Sequence, residues 1–263
     1  MISFEAHLKT TLIPTETPTV NQIAVESKTF NNGPDPSKGH ALTEKHVWGT
    51  WQNDIFNGGR YNWENVATAY HGGIGVDTVD YSNYSNTSAD KINVSLKIGM
   101  SFSLSGRSQG DTYDSIENII GTRWNDVIVG DDKMIGNTLD GSQGSDILFG
   151  EAGSDLIIGG GGVDTMWGGS QDDTFRFFYG HSTSYITPDV IKDFDQNGDD
   201  VLEFVFDKPA EATWRAEAWV HDGVAGTMVF GTEEVNSGPF DRFAVFLEGT
   251  DVSDVGADDF AFI

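Results

Sequence analysis

The sequence predicts an all-β fold: a parallel β-roll, a right-handed β-helix of nine-residue units, with flanking and C-terminal antiparallel capping strands. Three observations carry this. Acids recur at 146, 155, 164 and 173, a glycine opens each unit at 141, 150, 159 and 168, and a bulky apolar residue follows each acid by two, at Leu148, Ile157, Met166 and Phe175. A period of nine is too short for a helical repeat and suits a six-residue turn followed by a three-residue strand. The chain also holds 32 Gly, and 28 Asp against 13 Glu, a balance that favours turns over helices. Finally, segments outside the run, such as "INVSLKIG", "VLEFVF" and "RFAVFLEG", alternate in strand fashion, and nothing longer than about ten residues has helical periodicity.

The elements follow in order. Residues 1–47, with Pro14, Pro18, Pro34 and Pro36, read as an irregular arm with one strand near Asn21. The roll spans residues 48–178. "GTWQNDIFN" places Gly49, Asp54 and Phe56 at the first, sixth and eighth positions, and "GGIGVDTVD" repeats the pattern with Asp77. A strand-bearing insertion occupies about 81–120. The units return at "GTRWNDVIV", with Asp126, and pass through the expanded "GDDKMIGNTLD", with Asn137, into the regular run. Residues 179–263 read as a C-terminal β cap, needed because an open stack ends in unpaired edge groups.

Two units make one coil, so neighbours in one sheet lie eighteen residues apart in sequence and about 4.8 Å apart in space. That sorts the acids into two columns: Asp126, Asp146 and Asp164 on one side, and Asn137, Asp155 and Asp173 on the other. Stacked carboxylates repel unless a cation separates them. Ca²⁺ takes six or more oxygens, which carboxylates and turn carbonyls supply, whereas Mg²⁺ demands a tighter octahedron. The motif G-G-x-G-x-D-x-U-x is moreover a calcium-binding repeat signature. The candidate ligands are Asp77, Asp126, Asn137, Asp146, Asp155, Asp164 and Asp173, with the turn residues Gly141, Gly144, Gly150, Gly153, Gly159, Gly160, Gly162, Gly168 and Gly169. Asp54 is a further candidate. Burial of the inward hydrophobes is too weak to order the roll alone, so calcium binding and folding are expected to be one event.

Other chemistry finds little support. A net charge of −26, from 41 acids against 15 bases, argues against nucleic acid or an anionic membrane as partner. Without cysteine there are no disulfides and no thiolate metal sites. No apolar run reaches eighteen residues, so no membrane span is expected. The six histidines lack an i, i+4 pair, and no H-E-x-x-H, G-x-S-x-G or phosphate loop is present, so no enzyme activity is expected. In "DFDQNGDDVLEF", Asp193, Asp195 and Asn197 fall at EF-hand positions, but Phe204 stands where a bidentate Glu belongs. The segment reads as a turn between strands, with an extra calcium through Asp193, Asp195, Asn197 and Asp199 as the second reading. Trp48, Trp51 and Trp63 form a candidate sugar-stacking face, although Trp more often serves a core.

From Gly49 onward the chain resembles the RTX family of secreted bacterial proteins. The resemblance rests on the nonapeptides, on "DTVDYSNYS", "INVSLKIG" and "GDTYDSIENIIGTRWNDVIVGD", and on "DVIKDFDQNGDDVLEF", which is similar to the serralysin-type C-terminal region. It implies a calcium-loaded β-roll with several Ca²⁺ ions, and type I export through an uncleaved C-terminal signal resembling "GADDFAFI". The protein would fold outside the cell, where it would serve in binding, adhesion or matrix association with polysaccharide or a cell surface. Two rival readings are a non-catalytic module of a polysaccharide-modifying enzyme or protease, and a membrane-active relative.

Overall fold

The computed structural model describes residues 45–58, 67–84, 90–102, 108–178, 187–196, 198–206, 212–235 and 238–263. The N-terminal arm and its expected strand lie outside these residues.

Two sheets face each other across a narrow core. The first runs in the order β1 (Lys45–Trp48), β3 (Thr68–His71), β7 (Thr112–Asp114), β6 (Met100–Ser101), β5 (Asn93–Ser95), β9 (Val127–Val129), β11 (Ile147–Ala152), β13 (Thr165–Ser170), β15 (Asp189–Ile191), β19 (Gly238–Glu248), β18 (Val224–Val235) and β17 (Ala212–His221). The second runs β2 (Ile55–Asn57), β4 (Thr78–Asp80), β8 (Asn118–Ile120), β10 (Thr138–Asp140), β12 (Leu156–Ile158), β14 (Thr174–Phe178), β16 (Val201–Val205) and β20 (Phe260–Phe262). From β7 to β16 the chain alternates between sheets, so two short strands make one coil.

Register follows the nine-residue period. Leu148 pairs with Ile128 and Met166, and Ile157 pairs with Leu139 and Phe175. All six are fully buried, because the central residue of each three-residue strand points between the sheets. Aliphatic side chains fill the middle of the roll and aromatic ones close its ends. Phe56, Tyr70 and Tyr113 pack at the N-terminal end. Phe204, Phe206, Phe243, Phe260 and Phe262 pack at the other.

Of the strands within the expected insertion, β7 and β8 are ordinary coil strands, and the extra pair β5–β6 enters the first sheet alone. β5 and β6 pair antiparallel through Val94 and Ser101, and β6 runs antiparallel to β7. The second sheet bypasses them, pairing Val79 of β4 directly with Ile119 of β8. Lys97 at the tip of the β5–β6 hairpin binds Asp132 at 3.0 Å and Glu151 at 2.7 Å, tying the insertion to later coils.

The parallel stack continues past Phe178. β15 joins β13, β16 joins β14, and β20 joins β16, all in parallel. β17, β18 and β19 form the antiparallel cap at the end of the first sheet. Its outer side has a small core of its own, from Val190, Met228, Phe230, Ala244 and Phe246, with the Arg215 guanidinium 3.6 Å above the Phe230 ring.

Candidate metal centre

Each turn places its acid two residues before an inward hydrophobe, with the carboxylate tucked beneath the turn. The backbone N–H of each acid then donates to a carboxylate one coil on. In one column Asp126 donates to Asp146 at 2.7 Å, Asp146 to Asp164 at 2.8 Å, and Asp164 to Asp189 at 2.9 Å. In the other Asp54 donates to Asp77 at 2.8 Å, Asp77 to Glu117 at 2.9 Å, Asn137 to Asp155 at 2.6 Å, Asp155 to Asp173 at 2.8 Å, and Asp173 to Asp200 at 3.0 Å. One carboxylate oxygen per turn therefore has a structural duty.

The second oxygen divides the acids into two groups. In Asp77, Asp146, Asp155 and Asp164 it is buried and accepts no hydrogen bond. In Asp54 and Asp126 it accepts from the backbone N–H of Thr50 and Thr122. Asn137 is also satisfied: its Oδ1 accepts from the Asp131 N–H, and its Nδ2 donates to the Glu117 carbonyl. A Thr after the opening glycine closes the turn on the acid, whereas Gly73, Ser142, Glu151 and Gly160, which follow their opening glycines with positive φ, leave the acid's second oxygen unmatched.

The unmatched oxygens point at the opening glycines. A Cβ on Gly141 would lie 2.4 Å from Asp146 Oδ2 and 2.6 Å from the Gly159 carbonyl. On Gly150 it would lie 2.3 Å from Asp155 Oδ2 and 2.4 Å from the Gly168 carbonyl. Gly159 and Gly72 stand in the same relation to Asp164 and Asp77, at 2.5 Å each. Each opening glycine thus clears a space bounded by a carboxylate oxygen and, at Gly141 and Gly150, by a carbonyl of the next coil. Gly144, Gly153, Gly160, Gly162 and Gly169 all have positive φ, and at Gly162, with φ +134°, a Cβ would fall 1.5 Å from the Gly144 carbonyl.

Burial sets the electrostatics. It raises Asp146 to about 9, helped by the neighbouring carboxylates of Asp164, Asp126 and Asp140. Burial also raises Asp173 to about 7 and Asp126, Asp155 and Asp164 to about 6. Asp189 is raised well above its ordinary value for the same reason. A buried carboxylate with an unpaired oxygen is costly, and a hard cation relieves that cost. The residues present therefore fit Ca²⁺. Among the described residues no three His, Asp or Glu side chains are placed to hold one metal ion between them, and each turn of the columns offers a single carboxylate. The remaining oxygens of any cation shell must be carbonyls.

The other candidates are scattered. Asp193 accepts from the Gly168 and Gly169 N–H groups at 2.9 and 3.0 Å, closing the last glycine turn. Asp195 Oδ1 accepts from the Asp200 N–H and Asp200 Oδ2 from the Asp195 N–H, while Asp199 is exposed. Asn197 and Trp63 lie outside the described residues. Trp48 is 46% exposed and Trp51 80%.

Glu117, Asp189 and Asp200 join the columns although the nine-residue period misses them. The signal that finds them is shorter: an acid two before an inward hydrophobe, as in Glu117 with Ile119, Asp189 with Ile191 and Asp200 with Leu202.

Comparison with known proteins bears on the same stretch. Residues 140–175 match the family model of the RTX calcium-binding nonapeptide repeat, in four copies. Among solved structures, the AlgE6R3 subunit from the Azotobacter vinelandii mannuronan C5-epimerase is 28% identical over 55% of this chain and 76% of that one, with a TM-score of 0.34. The AlgE6R2 subunit of the same enzyme is 26% identical over 55% of this chain and 92% of that one, with a TM-score of 0.37. No curated protein matches the chain. With its nonapeptide period, its parallel coils and this family match, the chain carries an RTX calcium-binding repeat array folded as a β-roll.

Proposed function

We propose that this protein is a calcium-conditional binding protein, in which Ca²⁺ between successive turns is a requirement for the roll to form. The observation that carries this is the set of buried, unmatched Oδ2 atoms on Asp77, Asp146, Asp155 and Asp164. Bound Ca²⁺ supplies positive charge where these carboxylates are desolvated. The chain supplies the rest: one oxygen of each acid holds the ladder, the other faces the glycine-cleared space, and carbonyls of adjacent coils converge there. Circular dichroism during calcium titration of calcium-free protein tests this. Cooperative gain of β signal with calcium is expected, and full, cooperative β structure in chelator would overturn it.

On the same reading the chain stays unfolded where calcium is scarce and folds after type I export through its C-terminus, to act outside the cell by adhesion or matrix association without catalysis. The exposed Trp48 and Trp51, next to the first coil, support a surface for polysaccharide or another cell-surface ligand. A glycan array probed with calcium-loaded protein, against Trp48→Ala and Trp51→Ala variants, tests this role. Equal signal from all three proteins would remove the tryptophans from it.

A further inference from the structure

The outward face of the first sheet carries polar groups unlike those in the acid columns. Trp48, His71 and Asp114 stand directly opposite one another on β1, β3 and β7. The Trp48 and His71 rings are stacked, with centroids 3.9 Å apart and planes within 10°. Asp114 Oδ2 lies 3.2 Å from His71 Nδ1. His46, two residues before Trp48, places its Nδ1 3.0 Å from His71 Nε2. The two imidazole planes differ by 8° with centroids 5.4 Å apart, so the rings meet edge to edge, nitrogen facing nitrogen.

This arrangement fixes the tautomer. Asp114 has only acceptors when ionised, so His71 Nδ1 carries the hydrogen and His71 Nε2 presents a lone pair towards His46. A carboxylate behind an imidazole orients the ring and raises its basicity as a ligand. Two imidazoles on one ion with bonds of about 2.0–2.1 Å hold their nitrogens about 2.8 Å apart in a square-planar cis geometry and about 3.4 Å apart in a tetrahedral one. The observed 3.0 Å lies between these values, and turning the rings by roughly 35–45° from their head-on alignment brings both lone pairs onto one ion.

We propose that His46 Nδ1 and His71 Nε2 form a site for a borderline divalent transition-metal ion such as Cu²⁺ or Zn²⁺, with Asp114 as the positioning residue for His71. The ion replaces the hydrogen shared by the two rings, His46 takes the tautomer protonated at Nε2, and water completes the coordination. Ca²⁺ does not compete, because it selects oxygen ligands. Its side-chain ligands are not those of the calcium columns, and it is tested with those columns filled.

The test uses the full chain in saturating calcium and a non-coordinating buffer, with circular dichroism to confirm that every variant is folded. Cu²⁺ is titrated while tryptophan emission is followed, and Zn²⁺ binding is measured by calorimetry. Stacking on His71 makes Trp48 a contact reporter, which open-shell Cu²⁺ should quench with saturation at one equivalent. Trp48→Phe should lose that quenching and keep the calorimetric binding. His46→Ala/His71→Ala should weaken binding at least tenfold for both metals, with His7, His40, His181 and His221 still present to measure background. Asp114→Asn should weaken it about tenfold. Undiminished quenching and heat in the double variant, or no one-equivalent binding in the parent, would overturn the proposal.

Discussion

The backbone N–H of Asp155 donates to Oδ1 of Asp173, 2.8 Å away and eighteen residues later. Asp155 in turn accepts from Asn137 through its own Oδ1 and leaves Oδ2 buried and unmatched. The same carboxylate is a rung of the backbone ladder and, in the proposed reading, a calcium ligand. The two duties are separable by substitution. Asp155→Asn keeps an acceptor for the ladder and replaces Oδ2 with a donor. It should weaken calcium binding at least tenfold while the protein still folds at high calcium. Asp155→Ala also orphans the Asn137 N–H and should lose about a further 1–3 kcal/mol. Thermal unfolding at several calcium concentrations distinguishes the two.

The pH dependence should change sign with calcium. Burial raises Asp155 and Asp164 to about 6, Asp173 to about 7 and Asp146 to about 9 in the calcium-free fold. That fold binds protons more tightly than the unfolded chain, so its stability rises as pH falls from about 9 towards about 4. In the calcium-loaded protein, protons compete for the same oxygens, so acidification should destabilise it. Between pH 8 and about 5, dialysed calcium-free protein should gain β signal in circular dichroism as pH falls, whereas melting curves in saturating calcium should move to lower temperature.

Glycines should divide by what surrounds them. Gly162 has φ +134° and a Cβ there would strike the Gly144 carbonyl at 1.5 Å. Gly162→Ala should cost at least about 3 kcal/mol, combining backbone strain with a collision between coils. Gly223 also has positive φ, +84°, but no atom lies within 4 Å of its Cβ position. Gly223→Ala should cost only about 1 kcal/mol. Denaturant unfolding in saturating calcium measures both.

The middle of the roll should be intolerant of cavities. Leu148 is fully buried between Ile128 and Met166. Leu148→Ala should cost about 2–5 kcal/mol. Its neighbour Ile147 faces outward and is 39% exposed, so Ile147→Thr should stay within about 0.5 kcal/mol. The same denaturant experiment compares them.

Asp189 and Asp200 end the two ladders by accepting from Asp164 and Asp173. Alanine at either should weaken calcium binding and loosen the last coil first. Hydrogen exchange in saturating calcium should show that loss around residues 164–178 before it reaches Leu148.

The period of nine determined the regular coils by itself. Glycine, acid and hydrophobe recur there with nothing between them, so Asp146, Leu148 and their successors take their places by counting. Counting fails where loops lengthen a coil: Thr165 pairs with Val190 and Thr174 with Val201, so Asp189 and Asp200 are out of step in sequence and in step in space. Only the tertiary structure decided how the insertion threads into one sheet while the other passes it by. It also decided which acids keep an oxygen unmatched, because that depends on whether the residue after the opening glycine donates its N–H to the acid, as Thr122 does, or takes positive φ and does not, as Ser142 and Glu151 do. And it alone brought His46, His71 and Asp114 together, since residues far apart in the chain become neighbours only once the strands are stacked in register. Local periodicity encodes the repeating hydrogen bonds and the inward face, whereas contacts across coils of unequal length depend on the lengths of the loops between them.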